Sequence, residues 1–225
     1  MAPSRDAELE LVLKPELLQG MSTWTLLDDL PSYHHLVLPI IQGHNVLAQG
    51  PFHLKRMYLL VSALQRISTG AMPVAQSQCQ ALIVCPTFEL AWTVKGIAKM
   101  LASAMPSVEI YCCPRGFHDA QDKIDELQGS GTGRVPDIVV GTAGRIWECI
   151  TRGWLKTDTV TMLVFEGMDD IMNLGYDESV LQGILDTVAP GGTQLVVQSD
   201  SLHVWRSIWK LVGGFMPSPV RMWNI

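Results

Sequence analysis

The sequence predicts an α/β fold in which one mostly parallel sheet carries helices on both faces. Three observations lead there. Short apolar runs recur along the chain without polar alternation, as in strands covered on both faces. Between them lie longer segments of helical period. The strand–helix–strand order repeats, which implies a parallel sheet with right-handed crossovers.

In chain order, NVLAQ at 45–49 reads as the first strand and 54–67 as the helix that follows it. ALIVC at 81–85 is a second strand, followed by a helix at 89–104. VEIYC at 108–112 and DIVV at 137–140 are the third and fourth, with helices expected at 118–127 and 144–152. TMLVF at 161–165 and TQLVV at 193–197 flank a helix at 177–188, and a helix at 202–212 precedes a last strand at 220–223. Residues 1–35 lack this rhythm and are expected to form an N-terminal extension with one or two short helices, leaving 36–225 as a single domain. STGAMPVAQSQCQ at 68–80 and GSGTGRVP at 129–136 read as surface loops. A sheet of this kind binds ligands beyond the carboxyl ends of its strands.

Composition narrows the function. The 225 residues suffice for one substantial core, and 48% hydrophobic against 17% charged residues mark an ordered globular chain. A formal net charge of -6 argues against a highly basic nucleic-acid binder and leaves room only for a local basic patch. The five cysteines are odd in number and lack CxxC spacing, so neither a disulfide framework nor a zinc site is expected, and a reducing compartment fits. Cys112 and Cys113 are adjacent, so on a strand at most one is expected to face a core. No secretory leader and no apolar run of about 18 residues is present, and a soluble cytoplasmic or nuclear protein with no membrane contact is expected. The tandem His34-His35 has no third ligand at helical spacing, so no metal is expected.

Motifs add a resemblance. Pro39, Gly43, Val46, Ala48 and Gln49 match PxxxGxxVxAQ; Pro86-Thr87-Phe88-Glu89-Leu90-Ala91 matches PTRELA; Val140-Gly141-Thr142-Ala143-Gly144-Arg145 matches VGTPGR. Glu166-Gly167-Met168-Asp169 stands at an Asp-Glu-Ala-Asp box, Ser199-Asp200-Ser201 at Ser-Ala-Thr, and Ser218-Pro219-Val220-Arg221-Met222 at a closing NPVRI-like strand. In this order and spacing, the chain from residue 38 onward resembles the first RecA-like domain of DEAD-box RNA helicases, most closely the translation initiation factor and exon-junction type. The resemblance implies a RecA-like fold with nucleotide and RNA sites on the strand-end loops. The family's second RecA-like domain finds no counterpart in these residues.

Several positions depart from that pattern. A phosphate loop needs glycines that expose backbone N–H groups, a lysine, and a hydroxyl for Mg²⁺. Here Gly50-Pro51-Phe52-His53-Leu54-Lys55-Arg56 supplies a proline without N–H, bulky side chains, and Arg56 at the hydroxyl position. Lys55 reads either as the retained phosphate lysine or as a solvated or helix-capping lysine. Glu166 imitates the magnesium carboxylate with a longer arm, whereas Gly167 lacks the water-orienting acid. Asp169 is either the family's coupling acid or an N-cap of the next helix. The segment 31–36 lacks the adenine-reading glutamine, and Gly129–Arg134 lacks the lysine and helix of a phosphate loop. Thr142, Gly144 and Arg145 keep the family's RNA-contacting turn, and Arg115-Gly116 stands for its double-glycine loop, while Phe88 replaces an arginine. Alternatively, Thr142 caps a helix and Arg145 pairs with an acid. Leu202, Trp205, Ile208, Trp209 and Val212 share one helical face, either packed on the sheet or exposed as a binding stripe.

From these losses the sequence is expected to encode no enzyme. The reading is a pseudo-helicase without catalytic residues, cofactor or metal, keeping a vestigial nucleotide site at Lys55, Glu166 and Asp169. It would work as a protein-interaction or scaffold subunit of an RNA-related assembly, with weak RNA binding. The alternatives are a residual RNA-binding protein and a diverged ATP-binding helicase domain.

Overall fold

The structure, a computed structural model, describes residues 12–22, 34–50, 52–69, 78–114, 121–129, 134–175, 178–201 and 205–222. The seven apolar runs all become strands: β1 (Val46–Gln49), β2 (Ala81–Cys85), β3 (Ile110–Cys112), β4 (Ile138–Thr142), β5 (Met162–Phe165), β6 (Gln194–Ser199) and β7 (Val220–Met222). They join one sheet in the order β3-β4-β2-β5-β6-β1-β7, and every pairing is parallel. Strand ends move for local reasons. The Asp137 carboxylate accepts the Glu109 N–H at 2.9 Å, so β3 begins only at Ile110. Pairing of Cys85 with Thr142 and of Gln49 with Ser199 carries β4 and β6 further than the apolar runs suggest.

Nine helices lie among the described residues: α1 (Pro15–Ser22), α2 (His34–Ile41), α3 (Phe52–Arg66), α4 (Phe88–Leu101), α5 (Gln121–Gln128), α6 (Ala143–Thr151), α7 (Met168–Asn173), α8 (Glu178–Val188) and α9 (Trp205–Val212). Side chains alternate across each strand, so each sheet face builds its own core. Ala81, Ile83 and Cys85 of β2 pack with α1 to α4, whereas Leu82 and Val84 pack with α5 to α9. This two-sided cover corrects the reading of the adjacent cysteines. Both are buried, Cys112 in the first core and Cys113 in the second.

The N-terminal helix is fixed by contact rather than by propensity. Leu13, Leu17 and Met21 are buried in the first core. Gly20 lets α1 lie on the end of α4: a Cβ there would sit 1.9 Å from the Leu101 carbonyl oxygen. Helix α2 was not expected, because Pro39 sits inside an apolar run that reads as extended. On α9, Trp205, Ile208 and Val212 are buried, while Trp209 is 38% exposed with the Arg221 guanidinium 4.9 Å from its ring. Leu202 lies outside the described residues. No described helix is long and apolar enough to cross a membrane.

Candidate functional site

Parallel pairing brings the carboxyl ends of β1, β2, β4, β5 and β6 to one edge, and the altered motif residues follow them. After β1 the chain turns through Gly50, whose φ of 136° favours glycine and whose N–H donates to the Ser199 carbonyl at 3.2 Å. Helix α3 then presents Arg56 to the end of β5. Its Nε donates to Oε1 of Glu166, forming an ion pair across 110 residues of sequence. The side chains are 14% and 4% exposed. The Cys85 thiol, from the end of β2, donates to Glu166 Oε2 at 3.7 Å. Burial raises the Glu166 carboxyl above its ordinary range, and Arg56 opposes that shift only in part.

Next to the pair, Gly167 occupies the left-handed region at φ 70° and is the N-cap of α7. Its N–H donates to Gln198 Oε1 at 2.9 Å. Gln198, buried on β6, uses Nε2 to reach the Gly50 carbonyl at 3.2 Å and Asp200 Oδ1 at 2.7 Å. One glutamine thus ties the ends of β1, β5 and β6 together. Asp169 is not an N-cap, because Gly167 holds that place; its Oδ1 accepts the Asp200 N–H at 3.2 Å. The acid is thereby brought to the Ser199-Asp200-Ser201 segment.

At the end of β4, Thr142 sits at the N-cap of α6 in extended backbone, yet its hydroxyl makes no cap hydrogen bond. Arg145 pairs with Glu148 one turn on, and Arg152 reaches the same carboxylate at 3.1 Å. At the end of β2, Thr87 does cap α4, its hydroxyl accepting the Leu90 N–H at 3.2 Å. Pro86, Thr87, Phe88, Glu89, Thr142, Leu174 and Gly175 line a shallow cleft of about 550 Å³ between these ends. Phe88 continues onto Trp92, ring centroids 6.2 Å apart, with the Lys95 ammonium 5.0 Å from the Trp92 ring. A second hollow of about 360 Å³, lined by Cys79, Leu127 and Trp154 among others, lies away from the strand-end loops. The strand-end cleft is the stronger candidate, because ligands of parallel sheets bind beyond the carboxyl ends of the strands.

Of the residues singled out in the sequence, Glu166 and Asp169 come together at the end of β5, and Thr142, Gly144 and Arg145 share one turn at the end of β4. Lys55 belongs to the first turns of α3, but its side chain lies outside the described residues, as do Arg115 and Gly116. Sequence reasoning missed Cys85 and Gln198. Gln198 had a signal: it is a polar residue inside the apolar run LVVQS. The donor set does not suit Mg²⁺. The ion wants several oxygen ligands in octahedral array, whereas Arg56 brings a fixed positive charge and no acceptor. Glu166 spends one oxygen on that charge and the other on a thiol.

Comparison with known proteins places this edge in context. The DEAD/DEAH box helicase family matches residues 34–202. The ATP-dependent RNA helicase eIF4A of Pyricularia oryzae is 31% identical over 214 residues, covering 95% of this chain and 50% of that protein. The chain thus spans about half the length of the curated relatives it matches. Among solved structures, a DEAD box protein from Methanococcus jannaschii superposes with a TM-score of 0.75 at 19% identity, covering 95% of this chain and 54% of that one. Dbp5 of S. cerevisiae, bound to Nup159, Gle1, IP6 and ADP, superposes with a TM-score of 0.74 at 16% identity, covering 95% and 52%. These likenesses confirm the RecA-like fold. They also correct the expectation that the chain encodes no enzyme, since its relatives are named ATP-dependent helicases. That expectation weighed Pro51, Arg56 and Gly167 singly, whereas the relationship extends over nearly the whole chain. By its motifs, its sheet and these relatives, the chain belongs to the DEAD/DEAH box helicase family.

Proposed function

We propose that the chain serves an RNA-related assembly, in the cytoplasm or nucleus, as a helicase-type RecA-like domain that engages a protein partner. The domain runs from residue 36 to 225, with residues 1–35 as an extension docked on it through α1. The observation that carries the reading is the apolar rim of the strand-end cleft. Trp92 is 58% exposed and Leu174 55% exposed, and Phe88 joins them. Exposed aromatic anchors beside a cleft are what protein interfaces bury at their centres. The relationship to Dbp5, seen with Nup159 and Gle1, supports a protein partner for a domain of this shape.

Thr142 favours a second reading, RNA contact, because it lines the same cleft with a hydroxyl that caps nothing. Two measurements on parent and a Trp92→Ala/Leu174→Ser variant separate the readings. Partners captured from extract by chemical crosslinking are expected to drop out with the variant, while single-stranded RNA affinity stays weak and unchanged. If partner capture ignores both substitutions, the protein-partner reading fails. If RNA affinity falls instead and weakens steeply with salt, the second reading takes its place.

A further inference from the structure

The misfit between this site and a divalent cation is itself informative. In nucleotide-binding loops of this kind, a hydroxyl at the start of the helix and a carboxylate at a neighbouring strand end hold Mg²⁺ between them. Here Arg56 stands at the hydroxyl position on α3 and Glu166 at the carboxylate position after β5, and the two bond directly. The cation and its anchor have become one ion pair. We propose that Arg56 is a built-in cation that takes the place of the divalent metal, so that the strand-end site takes a nucleoside diphosphate without Mg²⁺.

Three features of the geometry support this. First, the pair is sheltered: both side chains are at least four-fifths buried, so it is not a surface contact that water screens away. Second, Glu166 keeps no oxygen for a metal, because Cys85 donates to Oε2 while Arg56 holds Oε1. Third, neighbouring groups do not rebuild a metal site. Gly167 offers a backbone N–H already given to Gln198, and Asp169 turns to the Asp200 N–H. Among the described residues, no three His, Cys, Asp or Glu side chains gather as metal ligands. A guanidinium supplies the positive charge that phosphate requires, is ionised at every physiological pH, and needs no coordination sphere. It also repels any dication approaching Glu166.

The test is a titration of fluorescent ADP against the purified chain in EDTA and in millimolar MgCl₂. It is run for the parent, Arg56→Lys and Arg56→Thr, with folding checked by circular dichroism. Arg56→Lys keeps a cation beside Glu166, and Arg56→Thr restores the hydroxyl. The parent and Arg56→Lys are expected to show affinities equal within about twofold in the two buffers, and Arg56→Thr to bind about tenfold or more tightly with Mg²⁺. Mn²⁺ in place of Mg²⁺ should be immobilised, by its paramagnetic resonance signal, only with Arg56→Thr and ADP together. A parent that binds only with metal overturns the proposal. So does an Arg56→Thr protein with no metal dependence, including the case in which neither protein binds ADP. If Arg56→Thr does not fold, the parent and Arg56→Lys decide alone: equal binding in both buffers supports the proposal, and metal dependence or no binding overturns it.

Discussion

The ends of β4 and β5 lie side by side and have treated their motifs in opposite ways. At the end of β4 nearly every letter of the family pattern is kept, from Val140 to Arg145. Yet the charged residue there is spent locally, on Glu148 one helical turn away and about a quarter exposed. At the end of β5 the letters have changed, and the replacements have found new partners far along the chain, Arg56 for Glu166 and Gln198 for Gly167. Preserved letters therefore coexist with a half-exposed local pair, and altered letters with a buried long-range one. Energetically the second arrangement dominates, because a buried charge depends on its partner while an exposed one has water.

That contrast can be broken by mutation. The largest effect is expected from Arg56→Leu, which strands Glu166 in the interior. Urea denaturation should show a loss of about 3 kcal/mol or more, much of it recovered when Glu166→Leu is added. A single-variant cost below about 0.5 kcal/mol would mean the pair is no more than a surface contact.

The carboxyl's titration sharpens the same point. Burial raises the folded-state value of Glu166 above its ordinary 4.5. The folded state therefore holds the proton more tightly than the unfolded chain. This contribution to stability is complete below about pH 4.5 and is lost as pH rises through the raised value. Replacing Glu166 with Gln removes it, so the variant's urea midpoint should change less than the parent's between about pH 4 and pH 7. Parallel curves would contradict the assignment.

Gly167→Ala comes next, at about 1–2 kcal/mol, because φ of 70° strains any Cβ-bearing residue. The smallest effects belong to the β4 end. Arg145→Ala should cost no more than about 0.5 kcal/mol, and Thr142→Ala, whose hydroxyl caps nothing, close to zero. A loss at Thr142 comparable to that at Arg56 would erase the distinction between the two strand ends.

What could be read from the sequence divides along the same line. The strands and most helices were legible because apolar period is a local property. So was the alternative that pairs Arg145 with an acid, since Glu148 is three residues away. The Arg56–Glu166 pair was not, because which strands lie side by side is set by sheet order, and nothing in residues 45–56 states that β1 will neighbour β6. The same gap explains Asp169, whose partner on Asp200 comes from another strand end, and Cys112 with Cys113, whose burial on both sides needed the second layer of helices. Helix α2 shows the converse failure: a local signal, Pro39, pointed away from the structure that packing imposes on Leu36, Val37 and Ile40.

Sheet order also sets a timetable. A ribosome delivers β1 first, yet its neighbours are β6 and β7, the last two strands to emerge. The block β3-β4-β2-β5 can pair once Phe165 is available, whereas Val46 waits for Val196 and Val220. For most of synthesis β1 and α3 carry apolar surface with no sheet to cover it, the situation in which nascent chains need chaperones. Pulse-labelled hydrogen exchange during refolding should accordingly protect the amides of β2, β4 and β5 before those of β1. Arg56 rides on this late-docking segment, so the ion pair at the strand ends closes only when the first-made piece of the chain comes home to the last.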